Sequence, residues 1–245
     1  MTLILNHLNA GYGNKPVLKD VNLSIESGEM VGLIGLNGAG KSTTIKNIIG
    51  LLQPYSGEIS LDNLTLAKNP GDYRKKIGYI PESPILYEEL TLKEHLEITA
   101  MAYDLSWDKA WALAEGLLKI FRLDTRLDWL PVHFSKGMKQ KVMVVTALMI
   151  NPSLLIIDEP FLGLDPLAIH DLLELLTTAK KNGAAILMST HILATAEIYC
   201  DRFLVMHQGT IIADGSLKDL QEQFNQPGKS LDEIYLTLTQ IEQVQ

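Results

Sequence analysis

Residues 35–42 read Gly35-Leu36-Asn37-Gly38-Ala39-Gly40-Lys41-Ser42. They lie between a continuous apolar run, "MVGLIG" (30–35), and a segment with helical spacing, "STTIKNIIGLL". The pattern G-x-x-x-x-G-K-[ST], placed between a buried strand and a helix, is a cradle for phosphates. Glycines let backbone N–H groups wrap around the anion, and the helix N-terminus adds the positive end of its dipole. Lys41 would reach the terminal phosphates, Ser42 would offer a hydroxyl to a magnesium ion, and Thr43 would contact the phosphate nearest the nucleoside. This stretch constrains the fold because its strand, apolar at every step, suits a parallel sheet covered on both faces.

The flanking sequence fits that demand. "TLILNHLNA" and "VLKDVNLSIE" alternate by twos and predict strands ahead of the cradle, and "GEISLDN" and "KKIGYIP" predict further short strands. From about Ser83 to Met149 the texture turns helical. Thr91 and Glu94 have the spacing of a capping box, and Ser106 is placed to cap the next helix. Trp107, Trp111 and Trp129 fall in this part and are expected to pack within it, with partner docking as the alternative for one of them. "LLIID" (154–158) and "AAILMST" predict buried strands on either side of a helix capped by Asp165, begun by Pro166 and ended at Gly183. "DRFLVMHQGTIIADG" predicts a hairpin turning near Gln208-Gly209, followed by two helices capped at Ser216/Asp219 and Ser230/Glu233. Buried strands alternating with helices imply an α/β fold.

Three further stretches carry chemistry. Asp158 and Glu159 end a predicted buried strand, at the carboxyl edge where open α/β sheets bind ligands. Asp158 suits a magnesium shell, and Glu159 can face an attacking water as general base. His191 ends another strand and can hold a phosphate and water in line, although a lone histidine there is as often structural. "HFSKGMKQKV" (133–142) reads either as a basic surface helix or as a second phosphate contact made by Ser135 and Gly137.

Bulk properties exclude several classes. The formal charge of −8 argues against a general nucleic-acid binder. The longest apolar stretch, residues 142–157, is broken by Asn151, Pro152 and Ser153, and neither half approaches the ~20 residues that span a bilayer. The chain is therefore expected not to cross a membrane by itself. Cys200 is the single cysteine, which fits a reducing compartment and a core thiol rather than a nucleophile.

The order of the cradle (35–43), "FSKGM" (134–138), "LLIIDEP" (154–160), "GLDP" (163–166) and "STH" (189–191) resembles the nucleotide-binding domain of ATP-binding cassette (ABC) proteins. The resemblance covers about residues 2–215. It implies a P-loop NTPase of ABC type: a mixed sheet core with an antiparallel N-terminal β region and a helical subdomain. The expected division of 1–245 is a catalytic core from 1–82 and 150–215, a helical subdomain at 83–149 and a C-terminal helical extension at 216–245. ATP and Mg²⁺ are the implied ligands. Asn37, Gly38, Ala39, Gly40, Lys41, Ser42 and Thr43 would hold the phosphates, Tyr12 would stack on adenine, and Val17 would lie near the ribose. Ser135, Lys136, Gly137 and Met138 stand where the family's L-S-G-G-Q signature acts across a dimer, and Asp165 would lie at the dimer seam. The implied partners are a second copy or a homologous ATPase subunit and a polytopic membrane permease, with no nucleic acid, at the cytoplasmic face of a bacterial membrane.

Three positions depart from the family pattern. Glu82 stands where a glutamine usually touches both Mg²⁺ and the membrane partner. A carboxylate can still ligate the metal, but it adds negative charge beside the terminal phosphate. Lys136 and Met138 replace a glycine and a glutamine of the signature. "IPESPILYEELTLKEHLEITAMAY" together with "FSKGMKQKV" is similar to the ATPase subunits of Ecs-type exporters, including relatives that export peptide pheromones. A soluble cassette ATPase of cluster assembly and a non-catalytic ATP-binding regulator are the competing readings.

Overall fold

The computed structural model describes residues 2–242, so Met1 and residues 243–245 of the expected 1–245 domain lie outside the described residues. The chain opens with two long strands, β1 (Thr2–Tyr12) and β2 (Lys15–Glu26), followed by β3 (Met30–Ile34) and helix α1 (Lys41–Ile48). Next come β4 (Ser56–Leu61), α2 (Pro70–Lys75) and β5 (Ile77–Ile80). A helical stretch follows, with α3 (Leu92–Ala102), α4 (Trp107–Ile120), a single 3₁₀ turn at Pro131–His133 and α5 (Lys136–Leu148). Then β6 (Leu154–Asp158), α6 (Pro166–Lys181), β7 (Ala185–Ser189), α7 (Leu193–Tyr199) and the hairpin β8 (Arg202–His207) and β9 (Thr210–Gly215) lead to α8 (Leu217–Gln223) and α9 (Leu231–Glu242).

Among the described residues the strands form two sheets. β2-β1-β4 is antiparallel, and β5-β6-β7-β3-β8-β9 is parallel from β5 to β8 with β9 antiparallel at its edge. β3, β6 and β7 are buried at every residue, as their unbroken apolar runs require. Alternation by twos sends successive side chains to opposite faces. Leu155 and Ile157 of β6 and Ile186 and Met188 of β7 join a core with α3, α4, α5 and α6. Their neighbours Leu154, Ile156, Ala185 and Leu187 join a second core with α1 and the antiparallel sheet. The large sheet is thus the middle layer, and β3 delivers the phosphate cradle from its carboxyl edge.

Local signals end most elements where the sequence places them. Thr91 and Glu94 close a reciprocal capping box on α3, and Ser216 and Asp219 do so on α8. The Asp165 carboxylate accepts from the Ala168 N–H at 2.9 Å, and Gly183 stands just past the end of α6 with φ +95°. Ser106 precedes α4 in extended backbone, but its hydroxyl makes no capping bond there. Trp107 and Trp111 pack on the helical core, with ring centroids 5.5 Å apart. Trp129 is partly exposed, with the Arg126 guanidinium 4.5 Å above its ring. Burial pushes the Cys200 thiol up to about 12, in keeping with a core residue rather than a nucleophile.

One cation helps to tie the two sheets. Arg202, at the start of β8, pairs with Glu29 at 2.6 Å, with Asp214 of β9 and with the Ser24 carbonyl of β2. Removing one partner of such a partly buried cluster leaves charge without compensation. Arg202→Ala is expected to cost about 3 kcal/mol in urea unfolding. Lys218→Ala, which removes the exposed pair with Glu222, should leave the midpoint where it is.

Candidate functional site

The cradle turns on Gly40. It ends the loop with φ +116°, a backbone that L side chains rarely adopt, and opens α1 with its carbonyl accepting from the Thr44 N–H at 2.9 Å. Lys41 is the first helical residue and is nearly buried. Its ammonium donates to the Gly35 carbonyl at 2.7 Å and to the Leu36 carbonyl at 3.3 Å, so it closes back over the loop.

Two cavities meet at this loop and share Leu36, Asn37, Lys41 and Ser42. The first, of 380 Å³, is lined by Tyr12, Val17, Gly38, Gly40 and Thr43 besides the shared residues. Tyr12 is half-exposed, and the Lys46 ammonium lies 5.5 Å from its ring centroid. A hydrogen bond from the Thr43 side chain, followed by the Lys46 charge, draws the Tyr12 phenol below its usual value in spite of partial burial. The second cavity, of 460 Å³, is lined by Glu82, Asp158, Glu159, Leu162, Ser189, Thr190, His191, Leu193 and Tyr235 with the shared residues. Ala39 lines neither cavity. It is buried, and its carbonyl accepts from the Gly209 N–H at 2.9 Å.

The second cavity is electrostatically strained. Burial pushes the Asp158 carboxyl up, and the charges of Glu82 and Glu159 push it further, while the Ser189 hydroxyl and Lys41 oppose them. Burial likewise lowers the Lys41 ammonium, against the pull of Glu159, Asp158 and Glu82. Three carboxylates thus face one ammonium before any phosphate arrives.

Glu159 and His191 come together although 32 residues separate them, because β6 and β7 are neighbours. Glu159 Oε2 lies 2.6 Å from His191 Nδ1 and accepts from the His191 N–H at 3.2 Å. The Glu159 backbone is left-handed, φ +48°, a conformation that carries a steric cost for a residue with a side chain. Its own N–H continues the sheet ladder to the Ser189 carbonyl at 2.9 Å, which pins the turn.

"SKGM" lines neither cavity. Ser135 caps α5, its hydroxyl accepting from the Met138 N–H at 3.2 Å. A side-chain carbon on Gly137 would fall 2.3 Å from the Gly163 carbonyl oxygen, so close packing against the 163–165 turn already demands glycine there. Lys136 lays its stem near Gly163, and Met138 packs on the helical core. Asp165 is bound within the chain to Lys141 of α5 at 2.9 Å.

A model of the ABC transporter family matches residues 18–162. The chain belongs to the ABC transporter family. It is 57% identical over 237 residues to the ABC-type transporter ATP-binding protein EcsA of Bacillus subtilis (strain 168), covering 97% of this chain and 96% of that one. A solved structure of the ATP-binding subunit of an ABC transporter superposes with a TM-score of 0.95 at 56% identity, covering 98% of this chain and all of that one. A dimeric post-hydrolysis structure of the ATP-binding cassette MJ0796, bound to ADP and Pi, superposes with a TM-score of 0.78 at 27% identity, over 88% of this chain and 98% of that one. This ABC protein is accordingly an ATP-binding subunit of a transport system, with an α/β ATPase fold. No helix among its described residues is long and apolar enough to cross a membrane.

Leu162, Ser189, Thr190, Leu193 and Tyr235 of the second cavity are not among the site residues expected from the sequence. Ser189 and Thr190 are buried directly before His191, within the "STH" stretch that carried the signal. Tyr235 comes from the distant α9, and no motif marks it.

The strain at Asp158 predicts a pH-dependent effect. The fold disfavours its charged form, so the penalty is absent below the ordinary value of 3.8 and complete above the raised one. Asp158→Asn is expected to raise the thermal midpoint of the nucleotide-free chain by a few degrees at pH 7.5. The gain should vanish toward pH 3.5, as followed by circular dichroism.

Proposed function

We propose that this subunit hydrolyses ATP between two closing copies and uses the closure to drive a membrane permease that exports a peptide or hydrophobic compound. The observation that carries the hydrolytic part is the Glu159–His191 pair at the wall of a cavity that also holds Lys41, Ser42 and Asp158. In this reading, adenine stacks on Tyr12 with Val17 beside the ribose. Thr43 and the loop from Asn37 through Ala39 to Ser42 hold the phosphates. Lys41 leaves the Gly35 and Leu36 carbonyls for the β- and γ-phosphates, which return to it the charge partner that burial withholds.

The residues present fit a magnesium ion. Ser42, Asp158 and Glu82 offer oxygen donors around one cavity that already carries excess negative charge. Among the described residues no cluster of three or more carboxylate, imidazole or thiol groups forms a ready-made cage, which suits an ion that completes its shell with phosphate and water. When bound, that ion would neutralise charge developing on the transferred phosphoryl group. Both Glu159 contacts to His191 use Oε2, which leaves Oε1 to take the water proton, while the far side of the His191 ring is left for the γ-phosphate.

Ser135, Lys136, Gly137 and Met138 lie away from the chain's own cavities, which supports their acting on the nucleotide of a second subunit, with Asp165 at the seam. The helical segment 83–149 and the surface after Glu82 would meet the permease. Support comes from exposed Ile85 and Tyr87 and from a shallow apolar groove lined by Ile49, Leu51, Arg74, Ile77, Tyr79 and Tyr103. Export, rather than uptake, rests on the sequence pattern shared with Ecs-type exporter ATPases, and the site of action would be the cytoplasmic face of a bacterial membrane.

Glu159→Gln is expected to slow steady-state ATP hydrolysis by at least about 100-fold and to leave an ATP-dependent dimer on gel filtration. A variant that turns over normally removes Glu159 from the role of base. Affinity purification of the tagged chain from detergent-solubilised membranes should bring down one polytopic membrane protein. Recovery of soluble partners alone would favour the cluster-assembly reading.

A further inference from the structure

Residues 217–242 lie beyond every motif that the hydrolytic reading uses, yet one of their side chains enters the nucleotide site. Tyr235 of α9 lines the 460 Å³ cavity together with Glu159, His191 and Leu193, and its phenol oxygen is buried. Its placement follows from the helix period. Leu231, Ile234, Tyr235 and Leu238 share one face of α9 and pack into a core with Leu193 and Ala196 of α7, while Asp232, Glu233 and Leu236 face solvent.

The partner of that face is the helix launched by the His191 turn. α7 has only seven residues, too few to hold a helix without packing. The turn itself is thinly held: Thr190 Oγ1 accepts from the Ile192 N–H at 3.1 Å, and the His191 N–H reaches Glu159 at 3.2 Å. The His191 ring is largely exposed. α7 packs on β3 and β8 on one side, and α9 covers it further. Glu197 Oε2 accepts from the Leu231 N–H at 2.7 Å, a charge-assisted bond at the first turn of α9. Ser230 and Glu233 fix that turn in place by exchanging bonds, with the Ser230 N–H to Glu233 Oε2 at 3.0 Å.

We infer that Tyr235 is a positioning residue of the ATPase site: its ring forms the wall behind the 190–193 turn and sets where His191, and through it Glu159, stands against the γ-phosphate. The C-terminal helix is then part of the hydrolytic machinery, and displacement of α9 by a partner would slow turnover without emptying the site. This rests on the hydrolytic reading of the Glu159–His191 pair.

The test uses the full chain with ATP and Mg²⁺. Tyr235→Leu keeps an apolar contact for docking α9, and Tyr235→Ala removes the contact. Both are expected to lower kcat about tenfold, with KM for ATP and the affinity for a fluorescent ATP analogue within twofold of the parent. Tyr235→Phe should restore kcat. Ile59→Ala, in the core beneath β4 and outside the cavity, should lower the thermal midpoint and leave kcat in place. If Tyr235→Ala does not fold, Tyr235→Leu decides alone. Parental kcat in Tyr235→Leu overturns the inference, as does an equal loss in Ile59→Ala. A Tyr235→Phe variant as slow as Tyr235→Leu also overturns it, since the hydroxyl and not the ring would then matter. Glu159→Gln measured alongside keeps the two readings apart: if it hydrolyses normally the hydrolytic reading fails, whereas a slow Glu159→Gln beside a fast Tyr235→Leu rejects the positioning role only.

Discussion

A parallel sheet covered on both faces confines charged groups to the ends of its strands, and its carboxyl edge is where ligands bind. β3, β6 and β7 are buried at every residue, and Lys41, Asp158, Glu159 and His191 all follow directly from their ends or from the loop beyond. The consequence is crowding. Glu82, Asp158 and Glu159 act on one buried ammonium, and burial shifts both Asp158 and Lys41 toward their neutral forms. In the proposed reading, a nucleotide with its cation would relieve this strain, the phosphates facing Lys41 and the cation facing the carboxylates.

The same edge brings the C-terminal helix α9 beside the cavity. Each of β3, β6 and β7 leaves the sheet through a turn that must be held by something. Gly40 and α1 hold the first, where α1 buries Thr43, Thr44, Ile45, Asn47 and Ile48. The Glu159 N–H bond to the Ser189 carbonyl holds the second. The third, at His191, feeds a helix of seven residues that packs on β3 and β8 and is covered by α9. Of the three turns, the one that carries the histidine depends on the element most distant in sequence.

Much of this was legible in the residues. Unbroken apolar runs marked β3, β6 and β7, and capping pairs marked the starts of α3, α8 and α9, because these signals act within a few residues. The glycine loop was legible for the same reason. Ser106 had the right spacing for a cap, yet its hydroxyl makes no bond to the helix start, so spacing alone overstated it. The Glu159–His191 contact was not legible. It needs β6 beside β7, and strand order is a property of the assembled sheet. α7 is short, and Tyr235 reaches the cavity only because α9 folds back on α7. Such contacts leave no local pattern.

The signature stretch shows how one motif divides its residues between the chain's own core and its surface. Gly137 has no room for a side chain because the Gly163 carbonyl lies against it, so glycine there is required before any neighbour is considered. Met138 turns inward to the helical core, where a thioether packs better than a glutamine amide would. Lys136 needs only space for its stem along Gly163, and its ammonium end is free to follow charge. The residues at 136 and 138 that depart from the family pattern are thus accommodated by the packing, and the two retained residues are the ones whose backbone role is strict: Ser135 as helix cap and Gly137 as close contact. A cation at 136, at the opening of α5, adds positive charge to the end of the helix that already carries the positive pole. That arrangement is slightly unfavourable for the isolated helix and would be offset by an anion, in keeping with the proposed contact to the phosphate of a second subunit.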